Sequence, residues 1–254
     1  MNAPELLYGT RAPASVALAS QPLDVNARDT LIVPAVDMLY VLYEMPMRQA
    51  LACLPASLHP AIPAVFAVTF IHAKDGPFGG FTFAYCGVAC RTGIKPRHFV
   101  TAAFCDDDTA ARVLGERYGF ACVPADVRYR ETYDRVQGTI AVSGAHALDV
   151  AITDCLPLVG TAGIIKYSPP LNATRVNGTA VMVQFEAAYD FKRSARGKPR
   201  LAQFDAAALG DASVRPSTPI AGSRAVCDLH LLPARFTVDI ALPAERGGAR
   251  KIAR

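Results

Sequence analysis

The feature that most constrains the fold is a pair of strand-like runs that are apolar on both faces. The first run extends from Ile62 to His72 and the second from Phe81 to Cys90, and turn-forming residues at positions 75–80 separate them. A strand with two apolar faces is covered from both sides. The fold therefore has to place protein on both sides of these two strands.

Strand-like segments dominate the rest of the chain, and only two helices stand out. Pro46 suits the first turn of a helix that runs to about Leu54. Asp106 to Asp108 can cap a second helix, from about Thr109 to Tyr118. The other strand-like segments are His98 to Phe104, Val136 to Val142, Leu148 to Ile152, Thr179 to Tyr189, Arg200 to Phe204, Arg224 to Leu231 and Phe236 to Ile240.

Many strands and few helices, in no regular alternation, predict an α+β fold that is mainly β. We expect a closed β-barrel with a few peripheral helices. Residues 1–28 are predicted to form an irregular N-terminal segment, residues 29–242 a single barrel domain, and residues 243–254 a basic tail. We expect this tail to be solvated and disordered.

The composition argues against several classes of partner. The net charge is only +4, and no basic stripe is interleaved with aromatic residues, so we expect no nucleic-acid partner. No apolar run is long enough to predict a membrane span. The N-terminus has no charged region followed by an apolar one, so we expect no signal peptide.

The cysteines indicate a reducing compartment. Their number, seven, is odd and they are scattered along the chain, which predicts free thiols and a cytoplasmic protein. Cys86 and Cys90 lie close in sequence but no second close pair exists, so we expect no metal site. No nucleotide-binding motif is present, and we expect no cofactor.

The order of several segments resembles the acetoacetate decarboxylase-like superfamily. A strand at 99–104 leads through the acidic residues Asp107 and Asp108 into a short alanine-rich helix, which ends at residues 114–117 in Leu-Gly-Glu-Arg. Further on, a strand at 181–185 precedes a hairpin and the string Gly-Ser-Arg-Ala-Val. The match in order extends over about residues 30 to 240.

This resemblance implies a cone-like β-barrel with helices outside, a deep apolar pocket and assembly into a homo-oligomer. In working decarboxylases a lysine after a proline forms a Schiff base with a β-keto acid, once desolvation and a neighbouring cation have lowered its pKa. Here that position falls on Val123 and the adjacent lysine position on Pro124, and the nearest downstream lysine is Lys166. The family's pocket glutamates fall near Ala67 and within residues 81–83, which are not ionisable. The sequence therefore predicts a family member that lacks the Schiff-base lysine.

Two charged residues at the end of the second helix are candidates for the site. Arg117 falls on the apolar side of the helix, where a guanidinium needs an anion. That anion is either a protein carboxylate such as Glu186, in a structural ion pair, or the carboxylate of a substrate. Glu116 is either a solvated partner of Arg112 or a catalytic acid–base group.

Other candidates have an equally plain structural interpretation. Tyr85 shares a strand face with Phe83 and is either an aromatic core residue or a donor to a carbonyl oxygen. His72 ends a strand before a turn and is either solvent-exposed or a general acid or base at the barrel mouth. Cys122 is either inert core or a nucleophile whose pKa Arg117 lowers. Val123 and Phe83 complete the predicted substrate-binding set.

Glu186 and Gln184 are predicted to share a strand face with Met182. On a face that points into the barrel they would line the pocket, and on the outer face they would have no such role. The sequence leaves both placements open.

We expect a lyase or hydro-lyase-type enzyme that acts on a small, fairly hydrophobic oxo acid or carbonyl compound. Without a lysine nucleophile it would work by acid–base and electrostatic means, with Glu116, Tyr85 or His72 moving protons and Arg117 holding the anion. The alternative is a non-catalytic protein that binds a small molecule on the same scaffold.

Overall fold

A computed structural model of the chain describes residues 7–16, 21–92, 95–158, 167–243 and 249–252. Over these ranges the chain is rich in strand and poor in helix, which confirms the predicted mainly-β class. The helices are α1 (Pro13–Val16), α2 (Met47–Cys53) and α3 (Asp108–Tyr118). The strands are β1 (Leu31–Glu44), β2 (His59–Pro60), β3 (Val65–Ala73), β4 (Phe81–Thr92), β5 (Lys95–Cys105), β6 (Cys122–Pro124), β7 (Asp126–Glu131), β8 (Arg135–Val142), β9 (Ala145–Pro157), β10 (Pro170–Val176), β11 (Thr179–Gln184), β12 (Glu186–Phe204), β13 (Pro219–Leu232), β14 (Phe236–Asp239) and β15 (Ala249–Lys251).

All of these strands belong to one sheet, whose order is β15-β14-β11-β10-β5-β4-β3-β1-β13-β12-β9-β8-β7. Beside this path, β2 pairs with β4 and β6 pairs with β5. Among the described residues no pairing joins β15 to β7, so the path is open. Closure of the predicted barrel is therefore not confirmed.

The two predicted helices form where their end signals place them. The Asp107 carboxylate accepts a hydrogen bond from the Ala110 amide at 2.7 Å and caps the start of α3. Gly119, with φ of +74°, ends α3 in the left-handed conformation that glycine adopts without strain. Pro46 directly precedes α2, as its fixed φ favours.

Strands β3 and β4 are buried on both faces, as predicted. One side, which we call the meander face, carries Phe66, Val68 and Phe70 and packs beneath the β7–β9 meander. Gly138 of β8 makes this packing tight, because a Cβ there would lie 2.5 Å from the Phe70 ring. The other side, which we call the helix face, is covered by α3.

Several boundaries differ from the prediction. The expected strand Thr179 to Tyr189 is divided at Phe185 into β11 and β12, and the expected strand Arg200 to Phe204 is the last part of β12. Residues 31–44 were not among the predicted strands, yet they form β1. A register shift between Val33 and Val36 accommodates Pro34.

The expected disordered tail is wrong for residues 249–252. Ala249–Lys251 form β15, which pairs antiparallel with β14. Ile252 is buried in a small cluster with Leu23, Val183 and Ala234. An apolar residue after the basic ones therefore anchors this segment, which its net charge alone did not indicate. None of the described helices is long and apolar enough to cross a membrane.

Candidate functional site

A row of polar side chains crosses the helix face at right angles to its strands. Tyr85 of β4 pairs with Thr69 of β3, Thr69 pairs with Tyr40 of β1, and Tyr40 pairs with Ser223 of β13. Residues that are directly opposite on neighbouring strands point to the same face. The register therefore aligns four hydroxyl groups, which we call the tyrosine row, on a face that is mostly apolar.

Aromatic rings surround the tyrosine row. The ring centroid of Tyr167 lies 5.1 Å from that of Tyr40 and 5.0 Å from that of Tyr189. At the other end, Phe83 and Phe120 each lie 5.5 Å from the Tyr85 ring. Two of these surrounding residues, Tyr167 and Tyr189, and Tyr40 of the row itself remain partly accessible to solvent.

The hydroxyls of this face are neutral donors. Burial raises the pKa of Tyr85 to about 12, and the nearby Thr69 hydroxyl only partly offsets this rise. Burial likewise raises the pKa of Tyr40 and that of Tyr189 well above the usual value. Thr69 Oγ1 is buried and does not meet hydrogen-bond geometry with any described group, and the same holds for Tyr167 Oη. Such groups are costly to bury unless a ligand or water pairs with them.

The predicted residues Cys122 and Val123 point in opposite directions. Cys122 pairs with Ala103, which in turn pairs with Tyr85, so its thiol lies on the helix face. Burial, with a smaller effect from Cys105, raises the pKa of this thiol, which disfavours the nucleophilic thiolate. Val123 lies on the other side, is 44% exposed, and lines a separate cavity of about 250 Å³.

His72 lies on the meander face, away from Tyr85. It lines an open cavity of about 580 Å³ that we call the His72 cleft, together with Asp37, Lys74, Tyr129, Glu131, Thr132, Tyr133 and Arg193. Its ring stacks on Tyr129 with centroids 5.7 Å apart and an interplanar angle of 7°. His72 and Tyr85 thus project from opposite sides of one sheet and do not meet at a common substrate.

The two candidate residues on α3, Glu116 and Arg117, each form an ion pair with another side chain of the protein. Arg112 donates to Glu116 at 3.0 Å on the outer side of the helix, which matches the solvated interpretation of Glu116. Arg117 donates from Nη1 to Asp29 Oδ2 at 3.0 Å and from Nη2 to Asp29 Oδ1 at 2.8 Å. Its side chain is 13% exposed, and the hydrogen bond from Arg117 holds the pKa of Asp29 below its usual value.

Glu186 is not the partner of Arg117, contrary to the carboxylate suggested by the sequence. Its Oε1 accepts from Gln184 Nε2 at 2.8 Å and its Oε2 accepts from Arg235 Nε at 3.1 Å. β11 ends at Gln184 and β12 begins at Glu186, so these two residues lie on different strands instead of sharing the face of one strand. Glu186 therefore serves as a local ion-pair partner near the end of β13.

Sequence reasoning missed most of the tyrosine row. Tyr40, Thr69 and Ser223 of the row, and Tyr189 beside it, were not candidates, because no local spacing signals them. Only the register of β1, β3, β4 and β13 brings three of these residues beside Tyr85. A buried histidine on the same face, His98, was also missed: its Nε2 has no described partner, and burial lowers its pKa to about 4.

A family model described as acetoacetate decarboxylase matches residues 20–154. This match spans more than half of the 254 residues. The chain belongs to the acetoacetate decarboxylase family. The matched segment contains β1, β3, β4, β5 and α3, which build most of the helix face. No curated protein gave a significant match.

Solved structures of the family share the fold at low sequence identity. The acetoacetate decarboxylase of Legionella pneumophila is 18% identical with a TM-score of 0.70, over 84% of this chain and 88% of that one. An acetoacetate decarboxylase-like enzyme from Sphingomonas wittichii RW1 is 15% identical with a TM-score of 0.62, over 89% and 98%. The enduracididine biosynthesis enzyme MppR, in complex with pyruvate, is 16% identical with a TM-score of 0.63, over 81% and 89%.

Proposed function

We propose that this protein is an enzyme of the lyase or hydro-lyase type that acts on a small, fairly hydrophobic oxo acid or carbonyl compound at the tyrosine row. Membership of the acetoacetate decarboxylase family supports an enzyme, and the pyruvate complex of a structural relative supports a small oxo acid. The observation that carries the proposal is the in-register alignment of the Tyr85, Thr69 and Tyr40 hydroxyls on an apolar face.

The chemistry of the row suits a reaction beside a carbonyl group. When a bond next to a carbonyl carbon breaks, negative charge collects on the carbonyl oxygen, and a fixed donor stabilises that charge. Tyr85 keeps its proton at neutral pH because burial raises its pKa to about 12, so it remains a donor. Apolar surroundings strengthen such a hydrogen bond. We assign Tyr85 as the donor to the oxygen, and Phe83 and Cys122 as walls of the site.

The row carries no amine. Its side chains are phenols and hydroxyls, none of which forms an imine with a keto acid. We therefore propose acid–base and electrostatic catalysis in place of a Schiff base.

A non-catalytic small-molecule binding protein is the second candidate. The uncharged state of the ionisable side chains on the helix face favours this candidate. Burial raises the pKa of the Cys122 thiol as well as those of Tyr40 and Tyr85. None of these three groups is a ready base or nucleophile at neutral pH.

Exchange of substrate α-protons separates the two candidates. A panel of small oxo acids, beginning with pyruvate, is incubated with the protein in deuterated buffer and followed by NMR. An enzyme of the proposed type accelerates exchange, and Tyr85→Phe slows it by about a hundredfold through loss of one oxyanion donor. Binding without any exchange would instead establish the second candidate.

Tyr43→Phe is the matched control. Tyr43 lies on the meander side of β1, three residues from Tyr40, and its hydroxyl donates to the Arg200 carbonyl at 3.1 Å. We expect this variant to keep its exchange activity. Equal losses in Tyr85→Phe and Tyr43→Phe would mean that the tyrosine row is not the site.

A further inference from the structure

The His72 cleft is a second concave site, separated from the tyrosine row by the thickness of the sheet. Its volume is about 580 Å³, which is ample for a small metabolite. The residue directly opposite His72 on β1 is Asp37, so the two side chains share the meander face. The cleft is built from β1, β3, the β7–β8 hairpin and β12.

The carboxylates of the cleft are already committed to cations. Asp37 is buried and its Oδ2 lies 3.4 Å from Lys74 Nζ. Glu131 contacts Arg193 at 3.7 Å and also forms a close ion pair with Arg224. Because Arg224 outside the cleft lining also neutralises Glu131, the two cations that line the cleft, Lys74 and Arg193, are only partly engaged by its carboxylates.

The cations keep unused donors toward the open space. Lys74 is 73% exposed and has three N–H donors for a single carboxylate contact. Arg193 is 60% exposed, and its 3.7 Å contact with Glu131 is too long for a hydrogen bond. His72 Nδ1 lies 3.1 Å from Thr82 Oγ1, and no described group bonds to its Nε2. Stacking on Tyr129 fixes the plane of this ring.

We propose that the His72 cleft binds a small oxyanion, a carboxylate or a phosphate group, between Lys74 and Arg193, with His72 Nε2 as a third donor. Lysine serves such a ligand as a point charge and arginine as a planar pair of donors. This site lies on the opposite face from the tyrosine row and does not depend on the function proposed there.

Isothermal titration at low ionic strength tests the proposal, with inorganic phosphate and propanoate as separate probes. We expect saturable binding of at least one of them at one site per chain, and the preferred probe identifies the group. Arg193→Gln should weaken that binding roughly tenfold or more, as loss of a charge-assisted contact predicts. Folding should persist in this variant, because Glu131 keeps Arg224.

Two further variants provide the comparison. Lys74→Gln should weaken binding by a similar factor, whereas Lys198→Gln should change it by less than about twofold, since a distant exposed charge is screened. Lys198 matches Lys74 in being 71% exposed and paired with one aspartate, Asp154. Absence of saturable binding for both probes would overturn the proposal. So would equal effects of Lys74→Gln and Lys198→Gln, or loss of binding in Tyr85→Phe with retention in Arg193→Gln.

Discussion

Thr69 and Tyr85 stand directly opposite each other on β3 and β4, and they place two of the four hydroxyls of the tyrosine row on a face built mostly from apolar side chains. Thr69 Oγ1 is buried and meets hydrogen-bond geometry with no described group, and such burial costs folding free energy. The Thr69 hydroxyl is therefore explained more simply by a ligand than by stability, since an apolar residue would pack there at lower cost.

Thr69→Val tests this explanation through two opposite effects. The variant removes Oγ1, which is buried and lacks a described partner, and keeps the shape of the side chain. We expect the unfolding free energy in urea to rise by about 1 kcal/mol, because an unsatisfied polar group is lost. We expect the affinity for the oxo acid, measured by titration, to fall.

Thr174→Val is the matched control for that variant. Thr174 is equally buried, but its hydroxyl donates to the Gln21 carbonyl at 2.8 Å. Its loss should lower the unfolding free energy by about 1 kcal/mol. Destabilisation of both variants to the same extent would show that Thr69 has a partner in the free protein.

Borohydride treatment in the presence of a β-keto acid should leave every lysine unmodified. The resemblance of the sequence to the family implies Val123 at the position of its Schiff-base lysine, and the side chains of the tyrosine row carry no amine. Peptide mass spectrometry of the reduced protein checks all six lysines, including Lys166, which lies outside the described residues. A keto-acid-dependent adduct on any of them would refute the mechanism proposed here.

Arg117→Lys should lower the melting temperature and leave ligand affinity unchanged. Lysine cannot reproduce the paired contacts that Arg117 makes with Asp29, and these contacts hold the segment before β1 against α3. Arg112→Lys, in an exposed pair on the same helix, should have a smaller effect on melting. A large loss of ligand affinity in Arg117→Lys alone would instead support a role in binding the substrate carboxylate.

His98 should make the fold sensitive to mild acid. Burial lowers its pKa to about 4, below the value near 6.5 expected when unfolded. Because the pKa is lower in the folded state, the contribution of His98 to the unfolding free energy is complete above about pH 6.5. This contribution is lost as the pH falls toward 4. The full loss amounts to about 3 kcal/mol of unfolding free energy.

Urea unfolding at pH 7 and pH 4.5 measures this effect. His98→Gln removes the titrating group, so the difference in unfolding free energy between the two pH values should shrink. The exposed His146 provides the control, and His146→Gln should keep the wild-type difference. An unchanged difference in His98→Gln would exclude His98 as its source.

Local sequence patterns were sufficient to predict α3, β3 and β4. The acidic cap and apolar spacing predicted α3, and the two-sided apolar runs predicted β3 and β4. Those patterns depend only on neighbours along the chain, so they can be read from the sequence. The break at Phe185 was missed because an apolar residue inside an alternating run gives no signal that the strand ends.

The candidate site was harder to predict from local sequence patterns. Tyr85 was predicted, but its neighbours Thr69, Tyr40 and Ser223 come from strands that meet only in the folded sheet. His72 was grouped with Tyr85 although the two lie on opposite faces, because the face that each strand turns inward depends on tertiary pairing. Arg117 was correctly expected to need an anion, but Asp29, distant in sequence, provides it.

The close fit of Gly138 against the Phe70 ring makes the two sides of the sheet differ in how well they tolerate substitutions. Any side chain at position 138 would push the meander away from β3, so the meander face has almost no tolerance for added volume where Gly138 meets Phe70. The helix face bears the tyrosine row on the alternate residues of the same strands. Substitutions on the helix face can therefore accumulate while the packing of Gly138 on Phe70 keeps the strands in register on the opposite side.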